Sequence, residues 1–375
     1  ALMASAVFER RARVFPRPDR HELIPPREFW GGDPRIAPVS SLLVRGLADF
    51  ARMARSESRV EDHRPGLKAL GQFGSALSLA TGLAMIPFAG TWGGGAGGDA
   101  LVPLDLSQGL VAFGLLFLIT GFCRVALSLS ERSTWSRIAG ARQTSRSMAG
   151  LALLTLVLAP IAVDSGSLRL HEIVVDQQSP LAVVDWLLAL IDADFAQELR
   201  GWPWPAWNLF SQPLTALLFI PAISLLLGSP RADDPATGSV AIAGLGLDAD
   251  PVDLYWMKLE ARLATVLGAA LFVTLFLGAG SIPFVDSSAL VPLLSPFVGE
   301  GLPTILLAAV HVGAFLMKWL LILGIAARMK RVAASARDDR ALRLATRRLL
   351  PLAWANLLLV TAVALWFDAQ QGGLG

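Results

Sequence analysis

The chain has 375 residues, of which 54% are hydrophobic and 17% are charged, and its formal net charge is +2. A soluble domain usually carries about 25% charged residues, so this composition indicates a polytopic membrane protein and gives no support for nucleic-acid binding. The single cysteine, Cys123, excludes a disulfide framework and any cluster of several thiolate ligands. The four histidines, including His311, lack metal-ligand spacing. We therefore expect them in loops or at the membrane interface, and we predict no metal site.

Seven apolar runs are long enough to cross a hydrocarbon core of about 30 Å. In chain order they are Leu70–Pro87, Leu110–Leu129, Met148–Val163, Leu209–Leu227, Leu259–Gly280, Leu302–Ala326 and Leu349–Phe367. The third run is short, and the fifth carries charge near its start. Two amphipathic segments, 42–55 and 181–199, are predicted to lie flat on the membrane surface. The predicted fold class is therefore all-α, a polytopic membrane protein with about seven transmembrane helices and additional interfacial helices.

The distribution of Lys and Arg predicts the orientation of the chain. Residues 1–68 form a basic segment that we assign to the cytoplasm, and residues 69–375 form the transmembrane helical domain. Basic and non-basic connections alternate in this domain, which predicts cytoplasmic loops at 130–147, 229–253 and 328–348 and a periplasmic C-terminus in a bacterial inner membrane. The 229–253 loop holds one Arg and five Asp, so only the alternation assigns it to the cytoplasm.

The last two apolar runs carry a specific motif. The segment "MKWLLILGIAARMKRVAASARDDRALRLATRRLLPLAWANLL" resembles the last two helices of the H subunit of bacterial NADH:quinone oxidoreductase, respiratory complex I. That family has a Lys in its penultimate helix, a basic loop "PRxRYDQLM", then "LPL" and an Asn. Without a gap, the matching residues here are Lys318, Arg337, Asp339, Arg347, Pro351 and Asn356. The family's "PR" is absent, because Ala334 and Ser335 stand at those positions.

The stretch "DDPATGSVAIAGLGLD" resembles the family's acidic loop, which runs "FDxPExExELxxGxxxEYSG". Asp233 matches the family's Asp and Asp248 matches its last Glu. The three glutamates between them are replaced by Ala236, Gly238 and Val240. The loop therefore resembles the family's carboxylate-rich loop without most of its carboxylates.

Weaker matches extend the resemblance toward the N-terminus. "FERR" contributes Glu9, "LADFARMARSE" contributes Asp49, Arg52 and Glu57, and "GAR" contributes Arg142. The family has eight membrane helices, so the seven runs seen here imply that its first helix is missing. The related membrane protein of formate hydrogenlyase and other membrane-bound nickel–iron hydrogenases has the same fold, and Lys258 falls at its "EYSGxxxALLKW" lysine.

The resemblance implies a subunit with no catalytic residue, no metal and no bound cofactor of its own. Its partners would be peripheral iron–sulfur subunits, antiporter-like membrane subunits and the lipid bilayer, with iron–sulfur clusters in the partners and quinone at the interface. The implied proton-path candidates are Glu260, Lys258, Lys318, Asp248 and Asp233. The implied candidates for docking or for lining the quinone cleft are Glu9, Asp49, Arg52, Glu57, Arg142, Arg337, Asp339 and Arg347.

Three functions stay open at this point. The chain is a working subunit of a complex I-like proton pump with a degenerate pathway, the membrane anchor of a hydrogenase-type complex, or a non-conducting structural anchor. Glu260 is either a residual proton relay paired with Lys258 or Arg262, or part of a structural ion pair. Lys318, in the middle of an apolar run, must face protein or water rather than lipid.

Overall fold

The computed structural model describes residues 65–88, 102–130, 134–178, 205–227, 251–282, 302–332 and 338–372. Within these ranges the chain is helical throughout apart from short connections, and no β-strand is found. The elements are α1 (Pro65–Ala84), α2 (Gly109–Ser130), α3 (Thr134–Ser165), α4 (Leu170–Asp176), α5 (Asn208–Ser211), α6 (Pro213–Leu227), α7 (Pro251–Phe276), α8 (Leu302–Val332), α9 (Asp338–Leu344), a π-helical turn (Ala345–Leu349) and α10 (Leu350–Gly372). The all-α fold expected from the sequence is thereby confirmed.

Each of the seven predicted runs coincides with a helix, and five segments of the described chain are long and apolar enough to span a membrane. These are Gly109–Ser130, Ser136–Ser165, Leu259–Phe276, Leu306–Arg328 and Arg340–Trp366. The other two runs form α1 and α6. The 15 residues of α6 rise only about 22 Å, and α1 is rich in glycine and serine, which lowers its hydropathy.

Two predicted cytoplasmic loops contain fewer non-helical residues than the hydropathy pattern suggests. α3 begins at Thr134, so most of the predicted loop 130–147 is helical. In the predicted loop 328–348, α8 continues to Val332 and α9 continues from Asp338 through the π-helical turn into α10, so the described part is helical. Both stretches are polar, but neither contains proline. Residues 130–147 include four arginines, and residues 338–348 are rich in alanine, arginine and leucine, all of which favour helix. Hydropathy marks where the membrane ends, whereas these helices continue beyond it.

The helices pack around one apolar core to which α2, α3, α6 and α7 contribute fully buried phenylalanine and leucine side chains. α1 and α2 approach each other most closely where Gly71 and Gly74 face Cys123 and Leu127. A Cβ atom at Gly74 would lie 2.6 Å from the Cys123 sulfur, so glycine is required there for the two backbones to come this close.

Three contacts bring several helix ends together at one end of the bundle. The Ser136 hydroxyl donates to the Ser128 carbonyl at 2.9 Å, which joins the end of α2 to the start of α3. Arg124, near the end of α2, reaches the last turn of α6 and the first half of α7. Which side of the membrane this end faces remains a prediction.

Candidate functional site

A buried ion pair joins α2, α6 and α7. The Arg124 Nε donates to Glu260 Oε1 at 2.5 Å, and both side chains are 8% exposed. The Arg124 Nη1 donates to the Leu226 carbonyl at 2.9 Å. That carbonyl lies in the last turn of α6, where no further helical N–H is available to it. The guanidinium therefore neutralises one carboxylate and caps one helix.

A second charged group lies at the other end of α7. Lys318, near the middle of α8, donates from Nζ to the carbonyls of Leu277, Ala279 and Ser281 at 2.6, 3.1 and 2.5 Å. Its Nζ also lies 4.3 Å from the ring centroid of Trp207. A lysine ammonium has three donors, so three carbonyls saturate it. The aromatic face adds a favourable cation–π contact.

The backbone after α7 explains why these carbonyls converge. Gly278 and Ala279 have φ angles of 64° and 47°, so the chain turns back on itself directly after the helix. The N–H groups of Leu277 and Ala279 both bond to the Val273 carbonyl at 3.0 and 3.1 Å, as in a Schellman-type helix end. This turn aims the following carbonyls at one point. The negative end of the helix dipole favours a cation there.

Amide side chains satisfy further carbonyls of the same helix end. Gln177 donates to the Thr274 carbonyl at 3.1 Å and accepts from the Gly278 N–H at 2.9 Å. Asn208 donates to the Leu275 carbonyl at 2.8 Å. Together with Lys318, these side chains form a polar cap on α7, which we call the α7 cap. It stabilises a helix end that is buried in the protein.

His311 lies close to the α7 cap. It precedes Lys318 by seven residues on α8 and is 2% exposed. Neither ring nitrogen has a hydrogen-bond partner within the described structure. We expected this histidine in a loop or at the interface, but it is buried inside a helix. Buried polar atoms without partners are uncommon in native proteins, so His311 is a candidate for a functional group.

Apolar residues separate the two charged sites along α7. Leu277 follows Glu260 by 17 residues, which corresponds to about 25 Å of helix. The core-facing side chains between them include Ala264, Leu267 and Leu271, each fully buried. The hydroxyl groups of Thr265 and Thr274 donate to carbonyls of α7 itself. The described part of α7 therefore offers no continuous row of polar groups from one site to the other.

A third polar cluster involves Asn356, one of the residues in register with the complex I motif. Its Nδ2 donates to the Thr215 hydroxyl at 2.8 Å, and that hydroxyl donates to Gln212 Oε1 at 3.2 Å. Gln212 in turn donates to Asp164 at 2.9 Å. This chain of hydrogen bonds ties α10 to α6 and α3. Asn356, Thr215, Gln212 and Asp164 therefore have each other as hydrogen-bond partners.

The structure places only some of the predicted site residues. Glu260 and Lys318 lie at opposite ends of α7, and their contacts are with Arg124 and with backbone carbonyls. Arg142 is exposed on α3, and Arg347 is exposed on the π-helical turn. Lys258 and Asp339 lie in helices, but their side chains are outside the described part. The remaining predicted residues are outside the described ranges altogether: Glu9, Asp49, Arg52, Glu57, Asp233, Asp248 and Arg337.

Sequence reasoning missed Arg124 and underrated His311. Each is an ionisable residue inside an apolar run, and an intramembrane ionisable residue is a functional candidate by default. The signal was therefore present in Leu110–Leu129 and Leu302–Ala326. Among the described residues, no group of three or more His, Cys, Asp or Glu side chains could hold a metal ion.

Comparison with known proteins identifies the family. The sequence pattern described as NADH dehydrogenase matches residues 34–361. Similar proteins include the H subunits of the F(420)H(2) dehydrogenases of Methanosarcina acetivorans and Methanosarcina mazei, each 25% identical over 190 residues. Each match covers 50% of this chain and 49% of the relative, so the match spans about half the length of these relatives. Since the family pattern covers most of the chain, the chain belongs to the NADH dehydrogenase family, as a divergent member of the type found as the H subunit of complex I.

Proposed function

We propose that the chain is a membrane subunit of a dehydrogenase complex that docks a peripheral iron–sulfur arm, and that its long-range proton pathway is degenerate. Family membership and the subunit names of the relatives support a place in a multi-subunit redox complex. One observation supports the proposal that the long-range proton pathway is degenerate. The two charged sites of α7 each have fixed protein partners, and an apolar stretch of helix separates them.

A proton relay needs groups that change their charge and their partners as the proton passes. Protonation of Glu260 would leave the Arg124 guanidinium buried without a counter-charge, which costs about 3–5 kcal/mol. Lys318 is also held by fixed partners, because all three of its N–H donors bond to backbone carbonyls. Both groups therefore act as structural ties between helices in this proposal. Electron transfer, the iron–sulfur clusters and any quinone belong to the partner subunits and to their interface with this chain.

Docking is assigned to the end of the bundle where Arg124 lies. Arg137 and Arg142 are exposed there at the start of α3, and the basic 9–68 segment leads into α1 near the same end. Exposed arginines can pair with carboxylates of a partner at little desolvation cost, and such charges guide association. The replacement of three family glutamates by Ala236, Gly238 and Val240 supports packing of the 229–253 loop rather than proton exchange along it.

The pathway part of the proposal is tested with a variant that removes both charges of the ion pair, Arg124→Met with Glu260→Met. The intact complex is reconstituted into liposomes, and protons translocated per electron pair are measured alongside the amount of assembled complex. We expect the ratio per assembled complex to equal that of the wild type. A lower ratio at an unchanged level of assembly would show that the pair conducts protons.

A second variant tests a route near the α7 cap. His311→Phe removes a buried imidazole near Lys318 that has no hydrogen-bond partner among the described residues. If the subunit conducts by a route through α8, this variant lowers the proton ratio even though the ion pair is intact. The proposal expects no change.

A further inference from the structure

Four arginines line an open groove at the start of the helical stretch that contains α10. The groove holds about 270 Å³ and is lined by Arg340, Arg343, Leu344, Arg347 and Arg348. All five side chains are exposed. A cavity of about 10–15 Å³ by this kind of measure holds one water molecule, so the groove has room for a phosphate group.

The π-helical turn brings these arginines to one side. In an α-helix Arg343 and Arg347 are neighbours on one face, because they are four residues apart. A π-helical turn winds less per residue than an α-helix, and this rotates Arg348 toward the same face. The opposite face is fixed because Ala345 is fully buried against α3. π-Helical turns are rare and frequently occur at functional sites.

An exposed apolar stripe continues from the groove along α10. Arg348 and Leu352 are four residues apart and share a face. Leu352 is 42% exposed, Leu359 is 62% exposed and Trp366 is 46% exposed. Their spacing of seven residues keeps them on the same side of the helix. The exposed surface of this helical stretch is therefore basic at the groove and apolar along α10.

The length of the helix indicates that the groove lies at the depth of the lipid headgroups. The candidate span Arg340–Trp366 has 27 residues, which rise about 40 Å, or about 10 Å more than the hydrocarbon core. The apolar part of the span begins at Leu349, directly after the last arginine. The four arginines therefore lie in the part of the helix that extends beyond the hydrocarbon core, at the level of the lipid phosphate groups.

We propose that this groove binds the phosphate of an anionic phospholipid, with the acyl chains along the Leu352–Trp366 stripe. Guanidinium groups bind phosphate through two parallel hydrogen bonds, and basic pockets beside membrane helices bind anionic headgroups. An acidic segment of a partner protein would match the arginines alone, whereas one phospholipid molecule matches both the arginines and the apolar stripe that continues from them. Arg347 therefore contacts lipid rather than the peripheral arm.

The test is made on the complex extracted from native membranes in mild detergent. Native mass spectrometry counts the phospholipids that this chain retains, and phosphatidylglycerol, phosphatidylcholine or inorganic phosphate is then added back to delipidated samples. The wild type is expected to retain and rebind phosphatidylglycerol but not phosphatidylcholine. Arg347→Gln should weaken rebinding about fivefold, and Arg347→Gln with Arg348→Gln about thirtyfold, because each arginine near a membrane surface contributes about 1 kcal/mol.

The matched control is Arg328→Gln, which removes one exposed arginine from α8, outside the groove. It should leave phosphatidylglycerol binding unchanged. Equal retention of phosphatidylcholine, or an unaltered double variant, would overturn the proposal. So would competition by inorganic phosphate at the same concentration, which would indicate a free-anion site. A photo-crosslinker at position 344 should label phospholipid; labelling of a partner protein instead would assign the groove to subunit docking.

Discussion

The buried pair between Arg124 and Glu260 gives the sharpest prediction for stability. Three variants are compared: Arg124→Met, Glu260→Met and both together. Methionine is unbranched, flexible and apolar, so it can fill the space of either side chain without a polar group. If the pair is a structural tie, the two single variants should be far less stable than the double variant.

The magnitude follows from the contacts. Each single variant leaves one buried charge without its partner, which costs about 3–5 kcal/mol. The double variant removes both charges, and the loss of the Arg124 bond to the Leu226 carbonyl costs about 1–3 kcal/mol. The double variant should therefore be more stable than either single variant, by about 2 kcal/mol.

The free energy of unfolding of the purified chain is measured by titration from mild detergent into SDS, followed by circular dichroism. Coupling between the two sites is the difference between the double variant and the sum of the singles. The reasoning is refuted if the single variants lie within about 1 kcal/mol of the wild type. It is also refuted if the effects of the two changes simply add.

Three further predictions concern the α7 cap and the helix contacts. Lys318→Met leaves three carbonyls without their donor and should lower the free energy of unfolding by several kcal/mol, at about 1 kcal/mol or more for each carbonyl. An unfolding curve equal to that of the wild type would show that the α7 cap does not stabilise the protein. Gly74→Ala should cost about 1–3 kcal/mol through overpacking against the sulfur of Cys123. Adding Cys123→Ala should restore stability, whereas Gly114→Ala, which meets nothing within 4 Å, should be harmless in either background. His311→Phe should be as stable as the wild type or more so, because it removes two buried nitrogens that have no hydrogen-bond partner in the described part of the chain; a loss above about 2 kcal/mol would mean that the imidazole has a partner.

The sequence predicts the helices well because a membrane chain must satisfy its backbone hydrogen bonds internally. All seven apolar runs are helical, and the family was recognisable from the "LPL" and Asn motif around Asn356. The helix lengths were less predictable. Hydropathy stops at the membrane surface, so it missed the polar first turns of α3. The lower hydropathy of α1 has a structural reason, because its small residues allow close packing with α2.

The candidate site was only half predictable for a different reason. Glu260 and Lys318 were identified because they are charges inside apolar runs. Their partners depend on which helices become neighbours, and a single sequence does not contain that information. The Arg124 pair joins residues 136 positions apart. The carbonyls around Lys318 come from a turn whose shape depends on the backbone of Gly278 and Ala279.

The most direct test of the proposed function is the composition of the native assembly. The chain is tagged in its own organism, the membranes are solubilised gently, and the co-purifying proteins are quantified by mass spectrometry together with iron and acid-labile sulfide. The account predicts peripheral iron–sulfur subunits in fixed proportion to this chain, and their loss when Arg137 and Arg142 are both replaced by glutamate. Recovery of the chain alone, or only with copies of itself, would contradict its assignment as the docking subunit of a redox complex.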